Sequence, residues 1–330
     1  MSGILEFRTT FNIIPSPVKI TYNDPVMFIG SCFASSIGSQ FEAGRMPVMI
    51  NPSGTVYNPV SVSGTLDSII SKGEYKQSDL CNHNGIWLSF DHYTDFSSES
   101  ASEVLDKINR SMNDARKFIS AAKFLFITFG TARVYRWQKS GKIVSNCHKI
   151  PSSEFTHELL SVNDIVTLWS DQLGRLRILN PGLKVIFSIS PLRHMKDGAH
   201  GNQVSKSVLF MAVEELLKHE SCPGYFPAYE LVMDDLRDYR FYDDDMLHPS
   251  DSAIAYIWDA FSHCYFNNST VALWHEVSGI TKAVSHRIQS QSGGQVKNFA
   301  ESIISRIDAI SKKAPSINLD SERNYFLKLL

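Results

Sequence analysis

Short apolar runs that end in loops of small or polar residues recur along the chain, and helical patterns separate them. The runs span residues 26–29, 122–129 and 184–189. Continuous apolar runs of this length are typical of strands buried on both faces, and their alternation with helices favours a parallel sheet between two helical layers. Residues 26–265 therefore predict an α/β fold, a three-layer sandwich with a mostly parallel central sheet.

The first run leads into the stretch Met27–Gly38, with the sequence MFIGSCFASSIG. Gly30 ends the predicted strand, Ser31 and Cys32 follow it, and apolar residues recur every four positions from Phe33. A side chain at such a turn lies at the carboxyl edge of the sheet, where open α/β folds bind ligands and backbone N–H groups can stabilise an oxyanion. The stretch fits a nucleophile in a substrate cleft, and it also fits an ordinary strand-to-helix turn.

Two further candidates lie in predicted loops. Gly54, within the turn-rich residues 51–59, permits a backbone conformation that would leave its N–H free for a substrate. Cys147 and His148 follow a hairpin predicted over residues 134–144. Because adjacent residues of a strand point to opposite faces, one of this pair is expected to face the cleft, and His148 is the preferred substrate contact.

A carboxylate and an imidazole precede the helical pattern that begins at Pro249. His248 lies just before this predicted helix rather than on its apolar face, which disfavours a purely structural core histidine. Asp245, three residues earlier, can place its carboxylate against an imidazole nitrogen. Such a pair fixes the tautomer of the ring and stabilises the imidazolium that forms during catalysis.

The overall composition argues against several classes of function. A net charge of −2 offers no electrostatic reason to bind nucleic acid or an anionic membrane, and no run approaches the ~20 apolar residues of a membrane-spanning helix. The N-terminus lacks a signal-peptide pattern, and five scattered cysteines argue against a disulfide framework, so a cytoplasmic location is expected. The Cys81-Asn82-His83 segment has no second ligand pair at zinc-finger spacing, and we expect no metal.

The character of the sequence changes after residue 266. Apolar stripes from Leu273 and from Val296 predict two helices, hinged at Ser292-Gly293-Gly294. These helices would either pack on the sheet domain or pair with a second copy of the chain to form a homodimer. The predicted division is therefore a sheet domain over 1–266 and a helical extension over 267–330.

Several motifs together resemble one known family. Gly30–Ala34 reads GSCFA, the motif that names the GSCFA family of the SGNH (GDSL-type) hydrolase clan. The resemblance extends over about residues 5–265 and leaves the helical tail outside. Other blocks similar to those of the family follow in its order, namely Asn51–Pro59, Phe129–Ala132, Asn146–Lys149, Ser190–Pro191 and Asp245–Pro249.

The resemblance implies a catalytic triad of Cys32, His248 and Asp245 on an SGNH-like, flavodoxin-like sheet. Cys32 falls where the clan has its serine nucleophile, and the backbone N–H groups of Cys32 and Gly54 would form the oxyanion hole. A thiolate is a better nucleophile than a serine hydroxyl at neutral pH, and it would give a thioester intermediate open to acceptors other than water. Ser31 is a lesser candidate nucleophile.

One departure from the clan concerns the oxyanion hole. Ala132 stands where the clan has an asparagine, and losing one such donor typically costs ~10²-fold or more in rate. Thr131 is the expected substitute, with Arg133 and Asn146 as alternatives. The remaining residues expected to contact the substrate are Ser31, Asn146, His148 and Ser190.

The resemblance implies an acyl-ester hydrolase or an acyltransferase, acting on a short acyl group of a carbohydrate or similar small molecule. No cofactor is expected, although acyl-CoA could serve as the acyl donor. The alternatives are a binding module that has lost efficient chemistry, and a protein whose helical tail mediates assembly with a partner.

Overall fold

The computed structural model describes residues 10–71, 73–221, 223–285 and 293–330. Residues 1–9, which bear on the predicted lack of a signal peptide, and 286–292, which include the start of the predicted hinge, lie outside the described residues. The chain forms two compact units. The first consists mainly of Pro25–Gly38 and Met49–Trp258, and the second of Ile14–Asp24, Ser39–Val48 and Asp259–Leu330.

The secondary structure follows the predicted alternation of strands and helices. The strands are β1 (Val26–Gly30), β2 (Val48–Ile50), β3 (Cys81–His83), β4 (Ile86–Leu88), β5 (Phe124–Phe129), β6 (Arg133–Trp137), β7 (Ile143–Val144), β8 (Phe155–Leu159), β9 (Lys184–Ile189) and β10 (Gly224–Tyr225). The helices are α1 (Cys32–Ala43), α2 (Pro59–Ile70), α3 (Ala101–Ala121), α4 (Val162–Leu179), α5 (Gly198–Leu216), α6 (Ala228–Glu230), α7 (Asp251–Tyr265), α8 (Asn268–Ser285), α9 (Gly293–Lys313) and α10 (Asp320–Leu327).

A five-stranded sheet in the order β10-β9-β5-β1-β2 forms the centre of the α/β fold. The pairs β1–β5, β5–β9 and β9–β10 are parallel, with Gly30 opposite Thr128 and Thr128 opposite Ser188. The predicted α/β architecture with a mostly parallel sheet is confirmed. Because the pairs are parallel and in register, the loops that follow β1, β5 and β9 meet at one edge of the sheet.

Alternating side chains of the central strands build the core. Met27 and Ile29 of β1 point into an apolar cluster to which α2, α3, α4 and α5 all contribute. Phe28 points to the opposite face and stacks on Phe126 of β5, with ring centroids 5.0 Å apart. Both faces of these strands are therefore buried, which is why their sequences are continuous apolar runs.

Two smaller antiparallel sheets supplement the central one. The predicted hairpin over residues 134–144 is confirmed as β6 paired with β7, and β8 adds a third strand on the other side of β6. At the other edge of the central sheet, the short strand β10 ends at Tyr225, and α6 follows it. Pro227 lies between the two elements, and a proline cannot continue a ladder of hydrogen bonds.

The second unit has its own apolar core. Val277 of α8, Ile307 of α9 and Phe326 of α10 are buried together. Trp274 donates its indole N–H to the carbonyl of Gln40 at 2.8 Å, so the short segment at 39–48 belongs to this core. These compact units interleave along the chain, and the predicted division at residue 266 stays a prediction. A homodimer through the C-terminal helices stays a prediction, which light scattering of the full chain tests. Among the helices described, none has the length and apolarity to span a membrane.

Candidate active site

The turn between β1 and α1 depends on a glycine. Gly30 has a φ of +147°, and a Cβ at this position would lie 2.2 Å from the carbonyl oxygen of Thr128 on β5. Its N–H donates to the side-chain oxygen of Asn51 at 2.8 Å. Ser31 follows, and Cys32 is the first residue of α1, so its side chain stands at the carboxyl edge of the sheet and at the positive end of a helix.

Cys32 and His248 line the same cavity, whose volume is about 380 Å³. The Cys32 sulfur lies 3.7 Å from the hydroxyl oxygen of Tyr57, which lines the cavity as well. Burial, together with the neighbouring Cys32, raises the pKa of Tyr57 far above its usual value. Its hydroxyl therefore keeps its proton at neutral pH and can donate a hydrogen bond to a thiolate.

Asp245 holds His248 in place. Its Oδ2 lies 2.5 Å from Nδ1 of His248, and its Oδ1 accepts the backbone N–H groups of Leu247 and His248 at 2.8 and 2.9 Å. These hydrogen bonds, led by the His248 backbone N–H, lower the pKa of Asp245 to about 2. An ionised carboxylate on Nδ1 leaves Nε2 of His248 as the nitrogen for proton transfer.

Two of the three predicted oxyanion donors, Gly54 and Thr131, have their backbone N–H groups engaged elsewhere. The N–H of Gly54 donates to the carbonyl of Asn51 at 2.7 Å, and Gly54 is not among the cavity-lining residues. Thr131 lines the cavity, but its N–H donates to the carbonyl of Tyr57 at 3.1 Å and its hydroxyl lies 2.9 Å from that of Ser205. Neither group is positioned to receive a developing oxyanion in this structure.

The side-chain amide of Asn58 is a candidate oxyanion donor in place of Gly54 and Thr131. Asn58, the N-cap of α2, lines the cavity while its side-chain oxygen accepts the N–H of Ser61 at 2.8 Å. One N–H of its side-chain amide donates to the Ser61 hydroxyl at 2.9 Å. Since an amide NH₂ carries two donors, the second is the candidate for the oxyanion.

His148, which was predicted to contact the substrate, is not among the residues that line this cavity, and its contact with a substrate stays a prediction. Its Nε2 lies 2.9 Å from the carbonyl oxygen of Ser89, and it does not line the cavity, whereas Cys147 does. Adjacent side chains point to opposite faces in this way only if residues 147 and 148 belong to an extended strand. Strand β7 ends at Val144, and His148 has a φ of +49°, so the chain turns and exchanges the two side chains.

Ser190, also predicted to contact the substrate, is likewise not among the cavity-lining residues, and its contact with a substrate stays a prediction. The residue is fully buried, and its N–H donates to the carbonyl of Phe129 at 2.8 Å. Its own carbonyl accepts the buried ammonium of Lys206 at 2.6 Å, and Lys206 also donates to the carbonyl of Gly130 at 2.7 Å. Ser190 and Lys206 therefore fix the loops after β5 and β9.

Ser31 and Asn146 do line the cavity, as predicted for substrate contacts. The hydroxyl of Ser31 is buried and has no hydrogen-bond partner among the described residues. The amide of Asn146 donates to Thr94 at 3.2 Å while its oxygen accepts the N–H of His148. Contact of these two with a substrate stays a prediction.

The sequence argument missed several lining residues, among them Tyr57, Tyr135, Arg193 and His194. Tyr57 lies within residues 51–59, from which only Gly54 was predicted to be a site residue. Arg193 and His194 belong to the loop after β9, at the sheet edge where parallel strands bind ligands. This position at the edge of the sheet could have identified Arg193 and His194 as site residues from the sequence.

His194 gives a testable pH dependence. Its pKa is lowered to about 4, because burial and the nearby Lys206 disfavour the charged ring. Between pH 6.5 and 4 the unfolded chain therefore binds more protons, so the stabilisation is complete above about pH 6.5 and is lost as pH falls toward 4. We expect His194→Phe to reduce this acid loss in the free energy of unfolding by about 2–3 kcal/mol, measured by urea unfolding between pH 7 and 4.

The matched control is His200→Phe, at an exposed position on α5. This variant should show the acid loss of the wild-type protein. If His194→Phe and the wild-type protein lose stability in parallel over this pH range, His194 is not a source of the effect.

The chain matches two family models and is similar to solved structures of other proteins. The family model described as "GSCFA family" matches residues 25–261, and the one described as "GSCFA domain protein, C-terminal domain" matches residues 277–330. Among solved structures, the chain is similar to a carbohydrate esterase family 3 from Talaromyces cellulolyticus, with 10% identity, a TM-score of 0.31, and coverage of 77% of this chain and 99% of that chain.

A second similar structure is an acetyl xylan esterase (Est2A) from the rumen bacterium Butyrivibrio proteoclasticus. The identity is 13%, the TM-score is 0.34, and the match covers 63% of this chain and 56% of that chain. Among curated proteins, none matches the chain.

Proposed function

The chain belongs to the GSCFA family, and from this premise we propose that it is an acyl-ester hydrolase or acyltransferase that works through an acyl-Cys32 intermediate. One observation carries the proposal. Cys32, at the start of a helix, shares a cavity with His248, whose Nδ1 lies 2.5 Å from the carboxylate of Asp245. A thiol, an imidazole and an orienting carboxylate are the three parts that nucleophilic acyl transfer requires.

The reaction would proceed in two halves. Nε2 of His248 takes the proton of the Cys32 thiol, and the sulfur attacks the ester carbonyl carbon. The resulting oxyanion accepts hydrogen bonds from the N–H of Cys32 and from the second amide N–H of Asn58. His248 then gives its proton to the leaving alcohol or thiol, and a Cys32 thioester remains.

In the second half, His248 takes a proton from water or from an acceptor hydroxyl, which attacks the thioester. Collapse of the tetrahedral intermediate releases the acid or the new ester and restores the thiol, with the proton returned from His248. The cavity of about 380 Å³ is at the lower end of the range for ligand sites, so it suits a short acyl group with part of its carrier. Acetylated sugars are the first substrates to test, on the strength of the family resemblance.

The covalent intermediate provides the direct test. Intact-protein mass spectrometry after incubation with 4-nitrophenyl acetate or acetyl-CoA should show a gain of one acetyl group, mapped to Cys32 by peptide analysis. Cys32→Ala should show no such adduct. Cys147→Ala removes the other thiol that lines the cavity, so it is the matched control and should form the adduct as the wild type does.

A second candidate function is a binding module without efficient catalysis. The observation that favours it is the engagement of the N–H groups of Gly54 and Thr131 by backbone carbonyls. This alternative predicts that no donor acylates Cys32, while calorimetry detects ligand binding that Cys32→Ala leaves intact. Rapid acylation of Cys32 in the wild-type protein would eliminate it.

A further inference from the structure

The candidate catalytic cavity is lined by positive charge. Arg133 and Arg193 both line it, and no aspartate or glutamate does so among the described residues. The acid nearest to Arg133 is Asp197, whose Oδ2 lies 3.7 Å from Nε, beyond hydrogen-bond length, and which also lies 3.5 Å from His157. Asp197 therefore offsets the charge of Arg133 only in part.

Arg193 has an even weaker partner within the protein. Its Nη2 lies 3.4 Å from the thioether sulfur of Met233, and a thioether is a poor acceptor for a guanidinium. The side chain is exposed and faces the cavity from the loop after β9. The charge of Arg193 is thus available to a ligand.

The Nε of Arg133 lies at ion-pair distance from Asp197 but makes no hydrogen bond to it. This nitrogen is buried and makes no hydrogen bond within the described part of the chain. A buried donor that makes no hydrogen bond is costly even beside a carboxylate, so it is usually satisfied by a water, an ion or a ligand. The lining histidine His194 does not add to this positive charge. Burial lowers its pKa to about 4, so the ring is neutral at physiological pH.

We infer that the substrate carries an anionic group, a carboxylate or a phosphate, which Arg133 and Arg193 bind while the ester or thioester reaches Cys32. The assignment of this anion to a substrate rests on the proposed acyl chemistry. The attraction of an anion into the cavity does not depend on that chemistry. Two arginines are the side chains best suited to such a group, since a guanidinium presents paired donors that match planar carboxylate and phosphate oxygens.

A neighbouring cavity indicates how the substrate extends. This second cavity, of about 520 Å³, shares Arg193 and Leu247 with the first. Tyr239 and Tyr242 line it as well, as do one further arginine and one carboxylate, Arg237 and Asp238. The two tyrosine rings lie 6.1 Å apart, and Tyr239 is 76% exposed. An exposed aromatic pair beside an arginine suits a ring-bearing anion, either an acidic sugar or the nucleotide part of a CoA thioester.

The charge of the cavity can be measured at Cys32 itself. Iodoacetate and iodoacetamide alkylate the same thiol and differ mainly in charge, so the ratio of their rates cancels the reactivity of the thiol. We expect this ratio at Cys32, read by peptide mass spectrometry at low salt, to exceed that of N-acetylcysteine amide by about tenfold. Arg133→Gln and Arg193→Gln should each lower it about fourfold.

Arg136→Gln is the matched control. Arg136 lies on β6, as Arg133 does, but it does not line the cavity and is paired with Glu158 at 2.9 Å. It should keep the wild-type ratio. A ratio at Cys32 equal to that of the free thiol, or unmoved by both cavity variants, overturns the inference even if Cys32 proves to be an acyl carrier.

Matched substrates identify the source of the anion. One arm compares the acetyl ester of a methyl glucuronoside with that of the methyl glucoside, and the other compares acetyl-CoA with acetyl-pantetheine, which lacks the nucleotide phosphates. A preference in kcat/KM for the anionic member of either pair, reduced in Arg193→Gln, supports the inference and names the source. Turnover without preference in both arms contradicts it, whereas a high alkylation ratio without any turnover contradicts the proposed acyl chemistry alone.

Discussion

Replacing His248 with glutamine is expected to lower kcat/KM for 4-nitrophenyl acetate by about 10⁴-fold. The variant loses the group that removes the thiol proton and protonates the leaving group. The free energy of unfolding should change by less than about 0.5 kcal/mol, because the side chain is 47% exposed and its bond is to Asp245 on the same turn. Steady-state kinetics and urea unfolding of the same preparation measure both effects.

Two variants accompany this measurement. Asp245→Asn keeps an oxygen for the N–H groups of Leu247 and His248 but removes the charge at Nδ1, so it should lose activity while the turn persists. His200→Gln changes an exposed histidine of α5 and should be fully active. If His248→Gln were active and Cys32→Ala inert, the base would be another group, and His194, which lines the same cavity, would be the first to test.

Replacing Gly30 with alanine should destabilise the protein by more than about 4 kcal/mol, the range of severe core substitutions. The new Cβ would lie 2.2 Å from a backbone oxygen of the central sheet, and no side-chain rotation relieves such a contact. The φ of +147° is also unfavourable for any residue with a Cβ. The shift of the urea midpoint measures the effect, and the soluble yield reports it where the variant does not fold.

Gly64→Ala is the matched substitution. Gly64 lies within α2, exposed, with no atom within 4 Å of an added Cβ. Alanine there should stabilise the protein by about 0.5–1 kcal/mol, because it favours helix more than glycine does. A Gly30→Ala protein as stable as the wild type would mean that the β1–α1 turn is not as tight as described.

Continuous apolar runs made the central strands predictable. Where a helix buries polar residues, the apolar spacing that predicts a helix is absent. Apolar residues recur at helical spacing over residues 208–216, which indicates only the second half of α5, a helix that begins at Gly198. In the first half the buried residues are Gly201, Asn202, Ser205 and Lys206, so the usual apolar spacing is absent. Helix α10 was not predicted, because it is short and mostly polar.

The candidate site was predictable where a local motif determines geometry. Asp245 and His248 are three residues apart, and a single turn brings them together. The positions of His148 and Ser190 outside the cavity lining were not predictable in this way, since backbone turns and hydrogen bonds to distant residues decide where those side chains point. The partnership of Cys32 with Tyr57 depends likewise on two loops that meet only when the sheet forms.

The second compact unit draws its segments from both ends of the chain, and this has a consequence for its synthesis. The carbonyls of Gln40 and Ala43 accept hydrogen bonds from Trp274 and Thr281, and Arg45 pairs with Glu322. On the ribosome, the early segments at 14–24 and 39–48 emerge long before these partners exist. The unit therefore cannot be completed until residues 259–330 have been synthesised, and a chain released before residue 259 would expose those early segments to chaperones and proteases.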